Sequence, residues 1–196
     1  MKTILFTAIM ALTIFFTACG DNNSNTNDAV TNNKDSVTSS VEVNSESTSS
    51  ITTKEIVSDY LDLKNALAND NGKDAADAAH DIQTSLEKMN TGSFTPDQKK
   101  TYEDVKGDLK EHAEHIAANG SNISHQREHF DMMSQDMIDL VKSTGTKQTL
   151  YKDFCPMYNN NKGASWLSET KEIKNPYLGK KMPTCGEVKE EIKPKG

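Results

Sequence analysis

Four sulfur-bearing side chains crowd the last quarter of this 196-residue chain in two short groups. Cys155 and Met157 are two residues apart, and Met182 and Cys185 are three apart. Thiolate and thioether sulfur are soft donors that favour Cu(I), and thiolates also serve Zn(II). Pro156 and Pro183 stiffen the two groups, so a metal would meet loops already shaped. Neutral imidazoles are the natural complement to such a shell. His125 and His129 are four residues apart and His112 and His115 three apart, and both spacings share a helix face. On a helical wheel, His125 and His129 sit beside the Phe130, Met133 and Met137 stripe. The candidate shell is therefore Cys155, Met157, Met182, Cys185, His125 and His129, with copper(I) the expected ion and zinc second.

The same residues support plainer readings. The chain has three cysteines, and Cys19 belongs to an amino-terminal signal described below. Two cysteines left in an oxidising compartment are the usual arithmetic of one disulfide. A Cys155–Cys185 bridge would join residues 30 apart in sequence and contribute about 3–4 kcal/mol through chain entropy, leaving no metal site. Met157 and Met182 serve equally as core filling, and a single histidine sits most simply on a solvated helix face. Trp166 and Tyr177 read as the aromatic plug that packs the tail. His125 to His129 also satisfies H-x-x-E-H, the inverted zinc-protease pattern, yet no third acidic ligand stands near it. The chain has no G-x-S-x-G, P-loop or G-x-G-x-x-G motif, and it is expected not to be an enzyme.

Helices must position these residues. Thr52-Thr53-Lys54-Glu55 resembles a capping box, with Ile56, Tyr60, Leu63 and Leu67 following at helical spacing until Asn71-Gly72. Ala75, Ala79, Ile82, Leu86 and Met89 mark a second helix over about 73–90. Thr95-Pro96-Asp97-Gln98 opens a third, whose stripe is Tyr102, Val105, Leu109, Ala113 and Ile116, and Asn119-Gly120 closes it. Ile123, Gln126, Phe130, Met133, Met137 and Val141 form the fourth, stopped near Thr144-Gly145. Short connections between four such helices predict a mainly α fold, an antiparallel four-helix up-and-down bundle over 51–145. Over 146–196 the periodicity ends and prolines and glycines recur, so a loop-rich tail is expected to pack on the bundle as part of the same domain. Leu150 to Phe154 and Glu187 to Ile192 are candidates for two short paired strands.

The ends of the chain speak of location. Ile4 to Phe16 is apolar but too short for the roughly 20 residues that span a bilayer, and it fits a secretory signal. Phe16-Thr17-Ala18-Cys19-Gly20 looks like a lipobox, with Phe16 where leucine is usual. Residues 1–18 are thus expected to be a lipoprotein signal peptide, and Cys19 the lipidated residue that anchors the chain to a membrane of the cell envelope. Asn, Ser and Thr make up 19 of the 30 residues from 21 to 50, which predicts a disordered tether completing a 19–50 segment. The net charge of −7 disfavours nucleic acid as a partner.

A resemblance joins these features. Phe154-Cys155-Pro156-Met157, Gly163-Ala164-x-Trp166-Leu167-Ser168, Ile173-x-Asn175-Pro176-Tyr177-x-Gly179 and Met182-x-x-Cys185-Gly186 together look like one family signature. It resembles a functionally uncharacterised bacterial periplasmic domain, common in lipoproteins of the Bacteroidetes type. That domain also occurs at the C-terminal end of some adaptor subunits of copper and heavy-metal efflux pumps. His112-Ala113-Glu114-His115-Ile116 and His125-Gln126-Arg127 resemble its helical region. The resemblance covers roughly 54–192 and implies a fold and an association with soft-metal handling, without a reaction. The expected function is a membrane-anchored, periplasm-facing binder of soft metal, copper above all, that buffers the ion or hands it to an efflux system. The alternative is a disulfide-closed helical interaction module that docks to an envelope protein without metal.

Overall fold

A computed structural model describes residues 52–194. The signal segment, Cys19 and the Asn/Ser/Thr-rich stretch lie outside these residues. Four long helices come first: α1 (Thr53–Ala68), α2 (Gly72–Glu87), α3 (Pro96–Ala118) and α4 (Ile123–Thr144). Each start has a local cause. The Thr52 N–H donates to Glu55 Oε2 at 2.8 Å, and Thr95 and Gln98 cap each other reciprocally, with Pro96 in the first helical position. Asn71 and Asn122 accept from the N–H groups of Asp74 and His125, satisfying donors that a helix end leaves free.

The apolar stripes meet as their spacing requires. α1 packs on α2, α2 on α3 and α3 on α4, with a smaller α1–α4 contact. Tyr60, Leu63, Leu67, Ile82, Leu86, Leu109, Ile116, Phe130, Met133 and Met137 are all buried. At one end the α1–α2 and α3–α4 turns touch: a Cβ on Gly72 would lie 2.5 Å from the Gly120 carbonyl oxygen. Gln126 ties this end together, donating to the carbonyls of Gly72 at 2.9 Å and Ile116 at 3.1 Å. Among the described residues, no helix is long and apolar enough to cross a membrane.

The tail holds three strands rather than the two expected. They are β1 (Leu150–Cys155), β2 (Ala164–Ser168) and β3 (Glu187–Ile192), in the order β2-β1-β3 with both pairings antiparallel. The extra strand is β2. It packs on α4 and is buried at four of its five positions, so it lacks the apolar–polar alternation that marks a strand in sequence. Between β1 and β2, Asn159, Asn160 and Asn161 adopt positive φ of 52°, 55° and 65°, a conformation asparagine tolerates better than most residues.

The aromatic residues bind tail to bundle. Trp166 is fully buried and Tyr177 nearly so. The Tyr177 ring lies 5.5 Å from that of Phe130 on α4, 4.4 Å from Tyr158 and 5.8 Å from Trp166. Polar contacts reinforce the junction. Arg127 donates to the carbonyls of Pro176 at 2.7 Å and Leu67 at 2.8 Å and pairs with Asp70 at 2.6 Å. Lys64, wholly buried on α1, pairs with Glu169 at 2.8 Å. Beside it, the carboxylate of buried Asp153 has no hydrogen-bond partner among the described residues, nor does the indole N–H of Trp166, its register partner across the sheet. Burial drives the Asp153 pKa up to about 7, with the Lys64 charge pulling the other way.

Candidate metal centre

Four imidazoles meet on the α3–α4 hairpin. α3 ends at Asn119, Asn122 caps α4, and α4 folds back along α3. His115 lies four residues before Asn119 and His125 three after Asn122, while His112 and His129 each lie seven away. Those offsets are helical repeats, so all four rings project from the facing sides of the two helices near their shared turn. The geometry bears this out. The His115 and His129 rings stack at 4.2 Å with only 4° between their planes. His125 stands edge-on to His129 at 4.6 Å, and His112 Nδ1 lies 3.2 Å from His129 Nδ1.

One ligand atom from each of His115, His125 and His129 falls within 4.8 Å of the other two. Imidazole nitrogens bind zinc or copper at about 2.0–2.1 Å, which sets neighbouring nitrogens about 3.3 Å apart around a tetrahedral ion. Small side-chain rotations of exposed His115 and half-buried His125 and His129 would close that difference. The outer contacts suit ligation as well. His125 Nδ1 sits 3.4 Å from Glu128 Oε2, a carboxylate–imidazole contact of the kind that orients a ligating ring. The Nδ1 contact between His112 and His129 likewise leaves each Nε2 available. Burial, and then the neighbouring His115, His125 and His112, lower the His129 pKa to about 4. Burial also lowers that of His112. Near neutral pH His129 is therefore an uncharged donor, the form a metal requires.

The two cysteines meet outside this group. Cys155 Sγ and Cys185 Sγ touch at 2.9 Å as free thiols, Cys155 fully buried and Cys185 partly so. Met157 is 51% exposed and Met182 half-buried. Among the described residues, the histidine triad is the group of three or more His, Cys, Asp or Glu whose ligand atoms come this close, and neither cysteine joins it. Of the expected six-residue shell, the structure brings together His125 with His129 and, separately, Cys155 with Cys185. His115 and His112 complete the imidazole group although the ligand set read from sequence omits them. Their offsets from the Asn119–Asn122 turn, four and seven residues against three and seven for His125 and His129, are the signal that would have found them. A cavity of about 710 Å³ between the start of α1, the α2–α3 loop and the end of α4 is lined by residues such as Asp62, Gln98 and Lys147 and by none of these histidines or cysteines.

Comparison with known proteins speaks to the helical part. Residues 56–149 match the model of a family described as "Protein of unknown function (DUF3347)". The matched stretch runs from the first turn of α1 to the residue before β1, so it includes all four clustered histidines and neither Cys155 nor Cys185. It is shorter than the 54–192 span of the sequence resemblance, whose tail signature falls outside it. No curated protein and no solved structure matches the chain.

Proposed function

We propose that this domain is a tethered metal-binding module whose centre is the imidazole group of α3 and α4, holding a transition-metal cation, copper foremost, for buffering or transfer to an efflux partner. The observation that carries this reading is the approach of His115, His125 and His129 ligand atoms to within 4.8 Å of one another. His129 is uncharged near neutral pH, so its lone pair is free to bind a cation. Imidazole suits copper, zinc and nickel alike, so the preference for copper rests on the sequence resemblance to domains of metal-efflux adaptors. The envelope location rests on the lipobox around Cys19, and the short turns between helices support an up-and-down bundle. No reaction forms part of this reading.

Titration of the full chain carrying Cys19→Ser with Cu(II) and Zn(II), against a chromophoric chelator, tests it. One ion per chain is expected, with affinity falling at least about 100-fold in His129→Ala. His80→Ala, which alters an exposed histidine on α2, is expected to bind as the unaltered chain does. Equal affinity in His129→Ala and the unaltered chain would remove the metal reading and leave the metal-free docking module as the better account.

A further inference from the structure

The second cluster, the thiols of the tail, does separate work. We propose that Cys155 and Cys185 form a reversible dithiol–disulfide site that exchanges with small or protein disulfides and, when oxidised, clasps the tail closed. Its basis is position. Cys155 ends β1, and Cys185 lies two residues before β3, the strand antiparallel to it. Their sulfur atoms are in contact at 2.9 Å, and closing to a bond of about 2.05 Å takes less than 1 Å of movement.

The backbone of Cys185 is pinned from both sides. Its N–H donates to the Met182 carbonyl at 3.2 Å, and its own carbonyl accepts from Asn175 Nδ2 at 2.6 Å. Asn175 is itself fully buried, and its Oδ1 accepts from the N–H groups of Tyr177 and Leu178, both at 2.8 Å. The next residue, Gly186, has φ of 143°, and a Cβ there would lie 3.0 Å from both the Phe154 carbonyl oxygen and the Trp166 ring. These contacts hold one thiol against the other before any reaction. Among the described residues no third His, Cys, Asp or Glu joins the pair, and the contact the proposal uses is that of the two sulfurs with each other.

The exposures set the order of events. Cys185 is partly accessible and Cys155 is not. The contact with Cys155, and then burial, push the Cys185 pKa up to about 11, so the step quickens as pH rises: its thiolate attacks one sulfur of a disulfide RSSR, forming a mixed disulfide and releasing RS⁻. The thiolate of Cys155 then attacks Cys185 Sγ, closing the Cys155–Cys185 bond and releasing the second RS⁻. Two protein thiols are oxidised to one disulfide, RSSR is reduced to two thiols, and the two protons pass to the released RS⁻. The closed loop contains Pro176 and Tyr177, whose contacts with Arg127 and Phe130 hold the tail to α4. This site is independent of metal uptake by the imidazoles.

The test uses the full chain carrying Cys19→Ser, reduced and then equilibrated with oxidised glutathione. After alkylation, mass spectrometry is expected to find the chain two hydrogens lighter, unalkylated and free of glutathione, with one proteolytic fragment pair joined through residues 155 and 185. The melting temperature is expected to rise on the order of 10 °C over the reduced chain. Two alkylated cysteines, a retained glutathione or a bond between two chains would overturn the proposal. In Cys155→Ala, which lacks the resolving thiol, Cys185 is expected to keep one glutathione; an unmodified Cys185 would count equally against it. In Cys185→Ala, which removes only a partly buried side chain at the edge of the core, buried Cys155 is expected to resist glutathione, and its ready modification would overturn Cys185 as the attacking thiol.

Discussion

In the α3–α4 hairpin four imidazoles meet because helical repeats and one short turn leave them no other place. In the tail two thiols meet because distant segments are drawn together by a sheet, a buried asparagine and an aromatic plug. The first arrangement is local: each ring is within seven residues of the cap beside it, and the caps are side chains of the same turn. The second is long-range, with β2-β1-β3 pairing and Asn175 joining residues far apart in sequence. The family match follows the same division, covering the hairpin and stopping before β1. A site built from local rules survives changes elsewhere in the molecule, whereas one built from long-range contacts fails with any of its supports.

Removing the aromatic plug tests that contrast most severely. Trp166→Ala empties the largest fully buried side chain and is expected to cost about 3–5 kcal/mol, read by urea unfolding. Metal uptake by the imidazoles should persist in the folded fraction, and its loss would show that the hairpin depends on the tail after all. Asp153 gives a second, pH-dependent effect. Its pKa is raised in the folded state, to about 7 from about 3.9 in the unfolded chain, so the folded state holds the extra proton between those values. Stability from this group is therefore full below about pH 4, declines as pH rises through that window and is lost above about 7. Asp153→Asn should flatten the decline and stabilise the protein at pH 8 on the order of 2 kcal/mol, after the cost of an unpaired buried amide. Parallel profiles for the two proteins in thermal melts between pH 4 and 8 would refute this. The smallest change belongs to the hairpin: Thr95→Ala removes the α3 cap and should cost about 1 kcal/mol, measured by chemical denaturation, without altering metal affinity.

The same contrast explains what could be read from the chain beforehand. Thr95-Pro96-Asp97-Gln98 announces α3 at the residue where it starts, and Asn119-Gly120 marks its end, because caps and stripes are short-range physics. Phe130, Met133 and Met137 are buried as their spacing requires. The imidazole group was half legible: His125 and His129 stand out by spacing, but pairing them with His115 needs the register of two helices across a turn. β2 was not legible, since Ala164 to Ser168 takes its strand form from β1 and α4 and not from its own pattern. The approach of Cys155 to Cys185 was a matter of counting cysteines; the buried asparagine that enforces it carries no such signature.

The outermost strand has a consequence for how these molecules crowd one another. β3 presents Glu187, Lys189, Glu190 and Glu191 to solvent along an edge whose backbone has only one neighbouring strand. A second molecule adding its own strand there would have to strip water from three carboxylates and one ammonium group, a penalty that discourages runaway stacking. Held at high local density on a surface, such chains would stay individually dispersed.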